Sequence, residues 1–278
     1  MTLKEAYNYG QEQLKIAEID EAMLDAWYLL EHITGVSRAM YFMDMDKCIS
    51  EEQLQKYQES ISKRAQHIPL QHITGVQEFM GLEFCVNEHV LVPRQDTEVL
   101  VESVLNVLED EMKVLDMCTG SGCILLSLLK LTKSTDISGV GVDISEEALR
   151  VANRNAEKLG IDVELLQGDL FSNINEKYDV IVSNPPYIRT AVIEELAEEV
   201  KFHDPFLALD GKEDGLYFYR RIIKESPNYL KENGKLYFEI GHDQGEAVSR
   251  LMKEAGFAEV TVKKDLAGLD RVVFGVYI

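Results

Sequence analysis

Four consecutive residues, Asn-Pro-Pro-Tyr at positions 184–187, are the part of the sequence best suited to chemistry. The Val-Ile-Val run at 180–182 precedes them and is typical of a strand covered on both faces. Because proline cannot donate a ladder hydrogen bond, the strand must end there. The Asn184 side chain and the Pro185 carbonyl then form two fixed acceptors, which suit an –NH2 group. Taken alone, Asn-Pro is also a common turn former, so a simple turn stays open.

A second motif is the glycine-containing loop LDMCTGSGC, residues 115–123, between a predicted strand and a predicted helix. Doubly wound α/β proteins bind nucleotide-like ligands at this position. The third glycine of the GxGxxG dinucleotide pattern is missing, and Asp116 would repel a pyrophosphate but attract an ammonium group. S-adenosylmethionine has an ammonium, a sulfonium and an adenosine but no phosphate. The acid-then-glycine order therefore favours S-adenosylmethionine over NAD.

Two further carboxylates follow predicted strands. Asp143 ends the strand in GVDIS, where a carboxylate suits a ribose diol. Asp169, in QGDLF, is placed to reach the adenine amino group. Each has an alternative, Asp143 as a helix-entry residue and Asp169 as a turn residue. Because parallel strands end at one edge of a sheet, we expect these carboxylates to lie beside Asp116 and Asn184.

The predicted site pairs a methyl donor with a receptor for a planar nitrogen. An amide or aromatic amine is a poor nucleophile because its lone pair is delocalised. If Asn184 Oδ1 and the Pro185 carbonyl each accept one N–H, they fix the nitrogen and stabilise its developing positive charge. The residues therefore predict methylation, with Asn184 and Pro185 as catalytic groups and no strong general base.

Patterns of apolar residues divide the chain into a helical and an α/β part. The predicted helices of the first part are residues 3–17, 21–34 and 50–64, the third opening with a capping box. Alternation and two glycines in the next segment predict a β-hairpin. We therefore predict a helical substrate-docking domain at 1–72, a β-hairpin linker at 73–92 and a methyltransferase domain at 93–278.

From Val114 onward, strand and helix patterns alternate. This order predicts an α/β, Rossmann-like domain with a doubly wound, mostly parallel sheet of seven strands. The last two strands flank the loop DLAGLD, residues 265–270, and predict an antiparallel terminal hairpin.

Composition restricts the classes of function. The 278 residues are 46% hydrophobic and 28% charged, which is ordinary for a globular protein. No apolar run has the length of a membrane span and the N-terminus lacks signal-peptide features, so we expect a cytoplasmic protein. The four cysteines and six histidines have no metal-ligand spacing, and we expect no metal. The net charge of −21 opposes stable nucleic-acid binding but is compatible with a basic protein partner.

Motifs along nearly the whole chain resemble the PrmC/HemK family, the protein-(glutamine-N5) methyltransferases that modify peptide-chain release factors. The motifs are PLQHITG, FMGLEF, LVPRQDTEVLVE, VLDMCTGSGC, GVDIS, SNPPYI, HDPFLALDGKEDGL and DLAGLDRVV. NPPY alone is shared with DNA adenine methyltransferases. The combination of PRQDTE upstream with DPFLAL and DGL downstream is far more specific.

The resemblance implies S-adenosylmethionine-dependent methylation of the glutamine in the Gly-Gly-Gln loop of class I release factors, which would be the partners. It also places the glycine loop and Asp143 at the cofactor, with Leu170 near the adenine. The complete expected cofactor site is Asp116, Cys118, Thr119, Gly120, Ser121, Gly122, Asp143, Asp169, Leu170 and Asn184. The expected substrate site is Asn184, Pro185, Pro186 and Tyr187.

Four positions depart from the family pattern. They are Cys118 where glycine is common, Gln95 where proline is usual, Asp204 where glutamate is usual, and Lys212 within a double glycine. None of them removes a proposed catalytic group. The PRQDTE segment has two open interpretations, a helix start capped by Asp96 or Thr97 and a lid over the cofactor.

Two other functions stay open from the residues. A nucleic-acid adenine N6 or guanine N2 methyltransferase would flip its base into the same pocket. The acidic net charge and the lack of a basic recognition segment argue against it. A non-catalytic sensor or scaffold with this fold is the other class. It would need neither the acceptor pair nor the glycine loop.

Overall fold

The computed structural model describes residues 1–278, which form two compact units. Unit 1 comprises Met1–Val76 together with Ala197–His203, and unit 2 comprises Gln77–Leu196 and Asp204–Ile278. Unit 1 thus includes a segment that the sequence assigned to the methyltransferase domain. The predicted domain bounds and the docking role of the first domain stay predictions. No helix is both long and apolar enough to cross a membrane.

Thirteen helices and nine strands follow one another along the chain. The helices are α1 (Leu3–Ile16), α2 (Ala22–Thr34), α3 (Arg38–Met43), α4 (Glu51–Arg64), α5 (Leu70–Thr74), α6 (Gln95–Leu105), α7 (Cys123–Leu131), α8 (Glu146–Leu159), α9 (Thr190–Ile193), α10 (Glu198–His203), α11 (Phe206–Leu209), α12 (Tyr217–Glu225) and α13 (Gly245–Glu254). The strands are β1 (Val76–Phe79), β2 (Leu82–Cys85), β3 (Lys113–Met117), β4 (Ser138–Asp143), β5 (Glu164–Gln167), β6 (Tyr178–Ser183), β7 (Leu230–Glu239), β8 (Phe257–Lys264) and β9 (Asp270–Tyr277).

Local signals set the helix ends in unit 1. Gly35 ends α2 with a φ of 67°, a conformation that glycine adopts without strain. The predicted capping box begins α4: Ser50 Oγ accepts from the Gln53 amide, and Gln53 Oε1 accepts from the Ser50 amide, both at 3.1 Å. The three helices predicted in this part of the chain are therefore confirmed.

A buried ion cluster lies within unit 1. The Arg64 guanidinium donates to Asp25 Oδ2 at 2.6 Å and to Glu199 Oε2 at 2.7 Å. Because Glu199 belongs to α10, this cluster ties the segment Ala197–His203 to α2 and α4. If either carboxylate were removed, the positive charge of the buried guanidinium would be only partly compensated.

The seven-stranded sheet of unit 2 has the order β5-β4-β3-β6-β7-β9-β8. β9 is antiparallel to its neighbours β7 and β8, and the other pairs are parallel. This confirms the predicted Rossmann-like sheet with an antiparallel terminal hairpin. The chain runs outward through β4 and β5 and returns to β6 on the other side of β3. Ligands bind at such a switch point, outside the carboxyl ends of the strands.

Helices cover both faces of this sheet. In β6, Ile181 packs in the layer formed with α12 and α13, whereas Val180 and Val182 pack in the layer formed with α6 and α7. The continuous β-branched run is therefore explained by burial on both faces. The predicted hairpin is β1–β2, whose Phe79 and Phe84 are buried in the α6–α7 layer.

Candidate active site

A cavity of about 180 Å³ lies at the carboxyl edge of the sheet in unit 2. The expected site residues that line it are Cys118, Thr119, Gly120, Ser121, Asp143, Asp169, Leu170, Asn184 and Pro186. Residues that were not assigned to the site also line it, chiefly the segment 89–93 and Pro205, Leu207, Ala208 and Phe218. For some of them the available sequence signal was a motif: VPR contains Val92 and Pro93, and DPFLAL contains Pro205, Leu207 and Ala208. The strand ends predicted to share one edge do share it.

The loop between β3 and α7 forms one wall of this cavity. Gly120 and Gly122 have φ values of 56° and 78°, in the left-handed region that favours glycine. A Cβ on Gly120 would meet no atom within 4 Å, so the backbone there borders open space. Thr119 anchors the loop, because its hydroxyl donates to Asp116 Oδ2 at 2.6 Å and its amide donates to the Val142 carbonyl at 3.0 Å.

Asn155, on α8, supports the same loop and was not predicted. Its buried Nδ2 donates to the Ser121 carbonyl at 2.9 Å and to the Cys85 carbonyl at 3.0 Å, while Oδ1 accepts from the Cys85 amide at 2.6 Å. The available signal was a polar residue on the apolar face of α8, among Ala148, Val151, Ala152 and Ala156.

Asp143 is placed as expected, at the end of β4 and in the cavity wall. Its Oδ2 accepts from the Gly120 amide and its Oδ1 from the Ser145 amide, both at 2.9 Å. Burial raises the pKa of this carboxyl, and the backbone donors act in the opposite direction. Each oxygen keeps a further lone pair, so Asp143 can accept hydrogen bonds from a diol.

Asp116 lies deeper than the other carboxylates expected at the cofactor. It is fully buried beneath the loop, bonded to Thr119, and does not line the cavity. Burial raises the pKa of Asp116 to about 7, against the lowering effect of the Thr119 hydroxyl. In this position Oδ2 orients Thr119 while Oδ1 has no hydrogen-bond partner, and the assignment of Asp116 to the cofactor's ammonium group stays a prediction.

Asp169 lines the cavity, but Arg221 of α12 already binds both of its oxygens. The Nη1–Oδ1 distance is 2.8 Å and the Nη2–Oδ2 distance is 3.1 Å. Arg221 also lies 5.7 Å from the centre of the Tyr217 ring. An adenine amino group would therefore have to share oxygens that accept from a guanidinium.

The NPPY motif follows β6. Asn184 and Pro186 line the cavity, whereas Pro185 is buried and Tyr187 packs against the α12–α13 layer. Burial raises the pKa of Tyr187 to about 12, so its phenol is neutral in the physiological range. The structure thus brings the Asn184 amide to the cavity and uses the tyrosine ring for packing.

The DGKEDGL segment, residues 210–216, holds the backbone that follows NPPY. The Gly211 amide donates to the Ile188 carbonyl at 2.8 Å. A Cβ on Gly211 would lie 2.7 Å from backbone atoms of Tyr187, and one on Gly215 would lie 2.4 Å from the Tyr187 carbonyl oxygen. Both positions therefore require glycine for this close approach.

Replacing Gly215 with alanine is expected to lower the free energy of unfolding by about 3 kcal/mol or more, because a φ of 73° and a backbone clash act together. Gly160 is a matched control, since its φ is 66° but its Cβ would meet nothing within 4 Å. Gly160→Ala should cost only about 1 kcal/mol. Urea denaturation measures both losses, and equal losses would contradict the steric account.

Two departures from the family pattern have left-handed backbone. Cys118 has a φ of 61° and Lys212 a φ of 70°, which explains why glycine suits these positions. Asp210 holds Lys212, accepting from its amide at 3.0 Å and from its Nζ at 2.7 Å. Burial raises the pKa of the Cys118 thiol, so it stays protonated and is a weak nucleophile.

Helix α6 begins within the PRQDTE segment, but neither Asp96 nor Thr97 caps it, as one interpretation of the sequence required. Arg94 is the N-cap, without a side-chain cap, so Asp96 and Thr97 lie inside the helix. Gln95 is the first helical residue, a position that favours proline. Arg94 and Thr97 line the cavity, and Arg94 Nη2 lies 3.3 Å from Asp204 Oδ2. The lid role stays a prediction.

Comparison with known proteins identifies the family. Residues 5–75 match the PrmC N-terminal domain, and residues 94–203 match the methyltransferase small domain. The release factor glutamine methyltransferases of Geobacter sulfurreducens and Clostridium acetobutylicum are each 40% identical to 99% of this chain, which covers 96% and 99% of them. A methyltransferase crystal structure from Pyrococcus furiosus shares the fold, with a TM-score of 0.55 and 17% identity over 72% of this chain and 91% of that chain. The chain therefore belongs to the release factor glutamine methyltransferase family.

Proposed function

We propose that this protein transfers a methyl group from S-adenosylmethionine to the side-chain amide nitrogen of the glutamine in the Gly-Gly-Gln loop of class I release factors. The observation that carries the proposal is the placement of Asn184 in the wall of the same cavity as Asp143 and the glycine loop. Family membership supports it. We place the reaction in the cytoplasm, where translation terminates.

The residues of the cavity fit S-adenosylmethionine. Asp143 keeps unused acceptor capacity, and the backbone at Gly120 borders open space. Apolar side chains in the wall, including Ile124 and Leu170, offer contacts for a purine. The only arginine in the wall, Arg94, is paired with Asp204, which leaves little for a pyrophosphate to bind. When bound, the cofactor supplies a methyl group made electrophilic by a sulfonium.

The chain's own contribution is to hold the nitrogen. Asn184 Oδ1 and the Pro185 carbonyl each accept one N–H of the glutamine amide. The two prolines restrict the backbone, which holds both acceptors in fixed positions; of the two residues, Asn184 lines the cavity and Pro185 does not. As the nitrogen takes the methyl group and gains positive charge, these dipoles stabilise it without having to reorganise. One of its two N–H protons is then released to water, which leaves the methylated amide and S-adenosylhomocysteine as products.

A labelling experiment tests the proposal against its main alternative. The protein is incubated with radiolabelled S-adenosylmethionine and an equimolar mixture of release factor and duplex DNA. The proposal predicts label in the release factor, and none when its Gly-Gly-Gln glutamine is replaced by alanine. Label in the DNA would favour a nucleic-acid methyltransferase instead.

The net charge of −21 predicts salt-sensitive association with the release factor. A loop that enters the RNA-rich ribosomal centre is expected to have basic surroundings, so an acidic enzyme gains electrostatic steering. Raising the salt concentration from about 0.05 to about 0.3 M should lower kcat/KM several-fold because it shortens the Debye length. An uncharged Gly-Gly-Gln peptide is the control. If both substrates show the same salt dependence, steering is excluded.

A further inference from the structure

Glu239 is a buried carboxyl that the proposed function does not use. It ends β7, its exposed fraction is 3%, and its Oε2 has no hydrogen-bond partner. An unpaired carboxyl oxygen in a protein interior costs stability, and such atoms are rare in folded proteins. Glu239 does not line the cavity, so a role in the site must act through a neighbouring residue.

The nearby arginines do not neutralise Glu239 by pairing with it. Arg271 Nη2 lies 3.0 Å from Asp265 Oδ2 and 3.1 Å from Asp96 Oδ2. Arg94 is paired with Asp204 at 3.3 Å. Ion pairing therefore does not account for a carboxyl at this position.

The strand register places Glu239 beside Asn184. Val182 of β6 pairs with Tyr237 of β7, and both lie in the α6–α7 layer. Glu239 ends β7 and Asn184 is the first residue after β6, each two residues beyond this pair, so the period of two places them on the same side of the sheet edge. Neighbouring strands are about 4.8 Å apart, so the two side chains are neighbours, although the structure shows no hydrogen bond between Asn184 and Glu239 Oε2.

We propose that Glu239 is a positioning residue for Asn184, with its free Oε2 accepting a hydrogen bond from Asn184 Nδ2 when the substrate amide binds to Asn184 Oδ1. An asparagine amide has nearly the same shape in its two orientations, and only one of them presents Oδ1 to the substrate. An acceptor beside Nδ2 selects that orientation. The inference rests on the proposed function, in which Oδ1 accepts from the glutamine amide.

Protonation of Glu239 should oppose this role. Burial raises the pKa of Glu239 to about 7, against the lowering effects of Thr97, Arg271 and Arg94. The ionised carboxylate only accepts, whereas the protonated form can donate to Asn184 Oδ1 and compete with the substrate. We therefore expect kcat to fall as the pH falls through about 7.

Other titratable groups surround this carboxyl. They are Arg94 and Asp96 at the start of α6, Cys123 on α7, Tyr187 after β6, Tyr219 on α12 and Arg271 on β9. Burial raises the pKa values of the thiol and of both phenols, so these three groups stay neutral near pH 7. The pKa of Asp116 is also raised to about 7. A fall in kcat near pH 7 can therefore be assigned to Glu239 only if a Glu239 variant loses it.

The first test is Glu239→Gln, which keeps the size of the side chain. At pH 8, kcat with release factor should fall roughly 10- to 100-fold, the range for a hydrogen bond to a charged group. The kcat decline near pH 7 should disappear, while calorimetry should give an unchanged dissociation constant for S-adenosylmethionine. Glu232→Gln is the matched control, because Glu232 is an exposed residue at the other end of the same strand.

A double-mutant cycle decides whether Glu239 acts through Asn184. In an Asn184→Ala background, Glu239→Gln should cause no further loss of kcat. If the kcat losses of the two single variants multiply in the double variant, the inference is wrong. A Glu239→Gln variant with the wild-type kcat and pH profile would also overturn it. Neither result would affect the proposed function. A wild-type protein that does not methylate release factor would overturn the proposed function and this inference with it.

Discussion

Replacing Asn184 with alanine should reduce kcat for methylation of release factor by roughly 10²–10³, the effect of losing one preorganised hydrogen-bonding group at a reacting centre. The substrate nitrogen uses the lost acceptor when its charge develops, so the loss belongs to the chemical step. The dissociation constant of S-adenosylmethionine should change little, because Asp143 and the glycine loop are intact. Single-turnover kinetics and calorimetry measure the two quantities separately.

Asn153→Ala is the matched control for this substitution, because Asn153 is exposed on α8 and its amide bonds only Glu157. The control should keep the wild-type kcat. An Asn184→Ala enzyme with wild-type kcat would remove the acceptor from the mechanism. Equal losses in kcat and in cofactor affinity would instead assign Asn184 to cofactor binding.

Asp143→Ala should weaken S-adenosylmethionine binding by about 100-fold or more. Each hydrogen bond to a charged group is worth about 1.5–3 kcal/mol, and the carboxylate is assigned two ribose hydroxyls. The variant also frees the Gly120 and Ser145 amides that the carboxylate holds at 2.9 Å, which loosens the loop. Titration calorimetry with S-adenosylmethionine and S-adenosylhomocysteine measures the change.

Asp162→Ala controls for the loss of one negative charge, since Asp162 is exposed and outside the cavity. It should bind both ligands as the wild type does. Wild-type affinity in Asp143→Ala would show that the ribose is held elsewhere. Asp143→Asn should lie between the two variants, because the amide keeps one acceptor oxygen.

Features set by short-range signals could be predicted from the sequence. Ser145 caps α8 and Gly160 ends it in a left-handed conformation, as the residue types indicate. The alternation of strands and helices predicts the doubly wound sheet, and the sheet brings Asp143 and Asn184 to one edge. These conclusions need only local propensity and a general rule about parallel sheets.

Features that depend on distant residues could not be predicted. Strand alternation puts Asp116 on the same face as Val114, beneath α7, and the sequence alone does not tell which face opens to the cavity. Arg221 is 52 residues from Asp169, and nothing in either motif signals their ion pair. The α10 segment joins unit 1 through Glu199, 135 residues from Arg64. Each of these contacts is fixed by tertiary packing.

Mapping the modified atom tests the central claim most directly. Release factor is incubated with the protein and S-adenosylmethionine, digested, and analysed by tandem mass spectrometry. The account predicts one added methyl group on the side-chain nitrogen of the Gly-Gly-Gln glutamine, and almost none with Asn184→Ala. A methyl group on any other residue, or an unmodified glutamine after complete incubation with active protein, would contradict it.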